Sequence, residues 1–112
     1  MTRDLTRLAV LAALKKDAAC ARLEQARALH DRLADRLEGL TTPQPDDPGI
    51  CAIVMARAQL RYQLWADGQR ALLNQALARQ KVELERLQTE ARPHIGRATV
   101  LDQLCQRSGH RR

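Results

Sequence analysis

The sequence predicts an all-α fold, a long antiparallel two-helix coiled-coil hairpin with a C-terminal overhang. Three observations predict it. Ala, Leu, Arg and Gln dominate the 112 residues, while Tyr62 and Trp65 are the only aromatic side chains, a composition typical of long helices. Apolar residues recur at alternating steps of three and four, the period of a helix seam. One proline-rich stretch, TTPQPDDPG at residues 41–49, separates two such periodic segments and carries loop chemistry throughout. β-branched residues nowhere alternate with polar ones, so strands are not expected. The length allows a single domain, residues 1–112.

The first helix is expected over about residues 3–38. Thr2 is placed to cap it, and Asp4 brings negative charge to its first turn, where the helix dipole favours it. Its seam reads Leu5, Ala9, Ala12, Ala19, Leu23, Ala26, Leu33, Leu37 and Leu40, with Lys16 and His30 as interruptions. Gly39 is a natural C-terminal cap and Pro43 forbids continuation. The loop is expected over 39–47. Asp47 followed by Pro48 is a strong helix start, because the carboxylate accepts free backbone N–H groups and proline at the first position has none to lose.

The second helix is expected over about 48–91, with a seam at Leu73, Leu77, Leu84, Leu87 and Ala91 that includes Gln80. An earlier piece, Ile53, Leu60, Leu64 and Ala71, is offset in phase, with Gly68 near the shift. A turn centred near residue 43 makes facing residue numbers sum to roughly 86 in an antiparallel pair. Tyr62 and Trp65 then face Ala18–Ala21, and both rings read as core. On the same count, everything beyond about residue 86 lacks a partner, an overhang of about 30 Å if helical to Gln106. Pro93 falls there, and proline inside a helix costs about 3 kcal/mol. The expectation is a kink or break between Arg92 and Gly96, then a separate short helix over about 97–107. Its Ile95, Val100, Leu101 and Leu104, ringed by Arg92, Arg97 and Arg107, read either as an unfinished interface or as a fraying end.

Charge and chemistry narrow the functional classes. The net charge is +6, of which residues 91–112 supply +4 through five basic side chains against Asp102. A basic tail suits nucleic acid, anionic lipid or an acidic protein surface. Both charge signs mix along the helices and no nucleic-acid-binding motif is present, so a basic nucleic-acid-binding helical protein is the alternative rather than the leading reading. Cys20, Cys51 and Cys105 are odd in number and have no paired spacing. They suggest neither a disulfide framework nor a zinc site, read as small apolar residues, and fit a reducing cytoplasm. The run Leu8–Leu14 is too short for a signal peptide and stops at Lys15-Lys16, so it reads as helix. No segment is long enough to span a membrane. Ser108 is the only serine, His30, His94 and His110 are scattered, and Gly96 stands alone, so no enzyme, metal, cofactor or small-molecule substrate is expected. A structural coiled-coil subunit, dimerising into a four-helix bundle, is a third reading.

Two stretches also carry a family resemblance. LTRLAVLAALKKDAACARLEQARALHDRLADRLEGL resembles the opening of FliJ-type flagellar export proteins and their YscO-type injectisome relatives. LRYQLWADGQRALLNQALARQKVELERLQTEA resembles their returning helix, and GRATVLDQL their basic, then Leu-rich close. The resemblance implies a cytoplasmic antiparallel hairpin that docks the end bearing both chain termini into a hexameric export ATPase, and that also engages the export gate and unladen export chaperones. By position, the docking end would be Arg3, Arg7, Arg92, Arg97, Leu101 and Leu104. The chain is shorter than the usual member, and its proline-rich loop stands where others carry longer helices.

Overall fold

The computed structural model describes residues 2–40 and 51–110, without the side chain of His110. Two α-helices account for nearly all of them: α1, Thr2–Glu38, and α2, Ala52–His110. No strand is present among the described residues. The protein is an all-α helical hairpin, as its periodicity predicts.

α1 begins with Asp4 in its first turn and ends as expected at Gly39. The Gly39 amide still donates to the Asp35 carbonyl at 2.9 Å, and Leu40 then donates to Leu37 at 3.2 Å, tightening the last turn. No glycine among the described residues takes a positive φ, so the stop uses this tightening and not a left-handed cap. The loop and the Asp47-Pro48 start lie in residues 41–50, outside the described residues. The first described helical residue of α2 is Ala52.

The α1 seam is confirmed position by position. Leu5, Ala9, Ala12, Ala19, Leu23, Ala26, Leu33, Leu37 and Leu40 are all buried or half-buried, and so are Lys16 and His30 between them. The seam of α2 holds equally well from Leu73 through Leu77, Gln80, Leu84 and Leu87 to Ala91. It then continues through His94, Ala98, Leu101 and Cys105. Many of these residues are alanine, which lets helix axes approach closely but buries little area at each contact.

Three expectations need correction. The break after Arg92 and the separate helix over 97–107 do not exist: α2 is one 59-residue helix with Pro93 inside it. Thr89, whose carbonyl proline deprives of its N–H partner, and Pro93 itself are both exposed residues. On the inward side, Ala91 (1 % exposed) and Ala98 are buried on either side of the proline, and that packing opposes the break.

The C-terminal overhang is also absent. The chain divides into two compact units, a terminal unit of Met1–Ala28 with Lys81–Arg112 and a mid-chain unit of Leu29–Gln80. Within the terminal unit, the Cys105 thiol donates a weak hydrogen bond to the Leu5 carbonyl at 3.7 Å. Partner numbers there sum to about 110 instead of 86, so residues 92–108 are paired with the start of α1. Within the mid-chain unit, Arg70 donates to the Leu40 carbonyl, again a sum of 110. The expected register failed because it counted facing residues from residue 43, whereas the contacts at Cys105 and Arg70 fix the sum at 110.

That shift takes Trp65 out of the core, while Tyr62 stays half-buried as expected. Tyr62 and Trp65 stack on each other in the mid-chain unit with centroids 5.8 Å apart and planes tilted by 44°, and Trp65 is 55 % exposed. Ile53, Leu60, Leu64 and Ala71, the offset apolar row, are exposed. The half-buried and buried face of this stretch is instead Met55, Gln59, Tyr62 and Ala66, which passes to the Leu73 seam across Gly68. The phase offset is therefore real, but the apolar row points outward.

Candidate docking surface

In a two-helix hairpin each helix turns one stripe inward and leaves the rest of its surface to solvent. On α1 the inward positions near the chain start are Leu5, Ala9, Ala12 and Lys16. The run LAVLAAL supplies more apolar side chains than that stripe takes up. Leu8, Val10, Leu11 and Leu14 remain exposed. On α2, Ile95, Val100 and Leu104 remain exposed for the same reason.

Part of this surplus converges. Leu8, Leu11, Ala12 and Lys15 of α1 line a groove of about 610 Å³ together with His94, Gly96, Arg97, Val100 and Leu101 of α2. Leu8, Leu11 and Val100 are 53 %, 55 % and 54 % exposed, so the groove is open along its length. Its polar lining groups are one lysine, one arginine and one histidine, with no carboxylate. Gly96 contributes no side chain, and a Cβ placed there would meet nothing within 4 Å.

The six residues assigned to the docking end all belong to the terminal unit. Arg97 and Leu101 line the groove. Arg3 and Arg7 line a shallower depression of about 370 Å³ with Thr2 and Thr6. Arg92 is exposed and lines neither; Leu104 is partly exposed beyond the groove. The sequence reading missed Leu8, Leu11, Lys15 and His94. The signal for the first two was available, as apolar residues of α1 left over once the seam was assigned. Lys15 and His94 depend on the register and could not be found without it.

Electrostatics separate this surface from its surroundings. The terminal unit carries thirteen basic and seven acidic side chains, and the mid-chain unit six of each. Ion pairs among the described residues include none of the groove's basic groups: in the mid-chain unit Arg70 pairs with Asp67 at 2.8 Å and His30 with Asp31 at 3.4 Å, and in the terminal unit Arg86 pairs with both Glu83 and Glu90 at 2.5 and 2.6 Å. Arg86 holds the Glu83 carboxyl below its ordinary range, through its hydrogen bond and then its charge. The paired carboxylates raise Arg86 in turn. Arg3, Arg7, Lys15, Arg92, Arg97 and Arg107 take part in no ion pair among the described residues.

The three cysteines are free thiols, Cys20 and Cys105 half-buried and Cys51 exposed; the reading as small apolar residues fits the first two and not Cys51. Among the described residues no three His, Cys, Asp or Glu side chains group as metal ligands, and no helix is long and apolar enough to cross a membrane. No protein-family model, curated protein or solved structure matches the chain.

Proposed function

We propose that this chain is a non-enzymatic adaptor or stalk protein of a bacterial flagellar-type (type III) export apparatus, acting at its cytoplasmic side. Its terminal end docks onto the hexameric export ATPase, and contacts with the export gate and export chaperones are its further partners. One observation carries the reading. Both ends of the chain share one compact helical unit, which concentrates unpaired positive charge beside uncovered apolar side chains. A protein with that arrangement works by presenting an end to a partner. The resemblance of both helices to FliJ- and YscO-type proteins supplies the partner's identity.

Co-purification with the cognate export ATPase tests it. Deleting residues 92–112 is unsuitable, because it would strip Leu5, Ala9 and Ala12 of their packing. A variant with Arg3, Arg7 and Arg97 changed to Glu, together with Leu104→Asp, alters exposed positions only. It is expected to keep its helicity and lose ATPase binding roughly ten-fold or more, given that one desolvated charge contact alone is worth about 2 kcal/mol. Undiminished binding by the folded variant would reject the docking reading.

The positive charge also favours a second reading, binding of a nucleic acid or other polyanion. That reading requires affinity that falls steeply with salt, and failure to be retained on a nucleic-acid column at low salt would exclude it.

A further inference from the structure

The groove between the start of α1 and the end of α2 has the dimensions and chemistry of a place for a third helix. Leu8 to Lys15 and His94 to Leu101 each cover eight residues, about 10 Å or two turns at 1.5 Å per residue. A pocket for a small molecule encloses most of its ligand and converges a few polar groups on it. This groove does neither: its apolar walls are half exposed, and its polar groups all carry or can carry positive charge. Gly96 leaves open space beside the α2 backbone, where an approaching helix meets no side chain.

We infer that the groove takes an acidic amphipathic helix from a partner protein, completing a local three-helix bundle. The inference rests on reading the terminal unit as the docking end and names the chemistry of what docks there. The occupant presents one heptad of apolar side chains to Leu8, Leu11, Val100 and Leu101. Its flanking carboxylates reach Lys15, Arg97 and, when protonated, His94. Charge complementarity selects it: residues 1–16 and 91–112 together carry nine basic and two acidic side chains, and the groove lining carries no acid. Like charge on a basic amphipathic helix would be repelled by the same groups.

The test uses the full-length protein and two fluorescein-labelled 18-residue peptides, long enough to hold helix on binding. Both place Leu at i, i+3, i+4 and i+7; one carries Glu on the flanks and the other Lys. The Glu peptide is expected to bind at least about ten-fold more tightly by anisotropy, and to weaken as salt screens the flanking charges. Gly96→Trp and Val100→Glu should each abolish that binding. Val10→Glu, at an equally exposed residue outside the groove, should leave it unchanged. Circular dichroism checks that each variant folds, and Gly96→Ala supplies a conservative control that keeps the groove open. The proposal is overturned if neither peptide binds, if the Lys peptide binds as well, or if folded Gly96→Trp binds undiminished. It is equally overturned if phosphatidylserine vesicles, or a second copy of the chain in light scattering, occupy the groove in place of the peptide. Export ATPase co-purification on the groove variants separates the two ideas. ATPase binding that survives Gly96→Trp, with no peptide binding to the wild type, removes the third helix and leaves the docking reading standing.

Discussion

The terminal and mid-chain units are made of the same material yet present different surfaces. Both contain stretches of α1 and α2 and both leave large apolar side chains exposed: Leu8, Leu11, Val100 and Leu104 in one, Ile53, Leu60, Leu64 and Trp65 in the other. In the terminal unit these lie among a balance of +6, and in the mid-chain unit the charges cancel. Apolar exposure by itself is unremarkable for a thin hairpin, since much of any protein surface is apolar. Its combination with one sign of charge is informative, because charge gives a hydrophobic contact its choice of partner.

The largest effect that would test this comparison comes from placing a charge in each unit's apolar set. Ala91→Asp puts a carboxylate at a position 1 % exposed and is expected to destabilise the protein by about 3 kcal/mol or more. Leu64→Asp, at an exposed position, should stay within about 0.5 kcal/mol. Urea unfolding followed by circular dichroism measures both, and equal losses would mean that the apolar row of the mid-chain unit is covered after all. Next in size is Pro93→Ala. Because α2 runs unbroken through the proline, restoring the N–H and removing the ring should stabilise the terminal unit by about 1–3 kcal/mol. A change near zero would point to a break at that position.

A smaller effect is expected from salt. Raising ionic strength screens repulsion among the unpaired cations of the terminal unit, so amide exchange of its seam residues should slow by a few tenths of a kcal/mol. The balanced mid-chain unit should show no such trend, and parallel behaviour in both would erase the electrostatic contrast. The smallest effect belongs to Glu83 and Arg86. Since the folded-state value of Glu83 is depressed, its contribution is present above the ordinary carboxylate range and is lost as pH falls through the folded value. In Arg86→Ala, NMR titration should return Glu83 toward its ordinary value.

The seams were readable because a helix has a fixed period. Once Leu5, Ala9, Ala12 and their successors repeat at three and four, burial of that stripe follows from geometry alone, and Lys16 and His30 are carried inward with it. The end of α1 was readable for a similar reason, as Gly39 stands where the helix stops. The docking surface was only half legible. Arg97 and Leu101 could be named from the C-terminal segment, and Leu8 and Leu11 stood out as apolar residues left over from the α1 seam, but Lys15 and His94 join them through a pairing that no local signal encodes. Pro93 shows the limit most plainly: its intrinsic preference to break a helix is genuine, and Ala91 and Ala98 packing on either side of it prevails.

By itself, then, the sequence determined two helices, their inward stripes and the unequal distribution of charge, all of which depend on residues within a few turns of one another. The tertiary structure decided which residue of α1 meets which residue of α2. Periodic seams of Ala and Leu fit one another at several offsets a heptad apart, so register depends on the sum of contacts along both helices. Set at 110 instead of 86, that register paired the C-terminal segment with the start of α1, uncovered Trp65, and created the groove at Leu8, Arg97 and Val100.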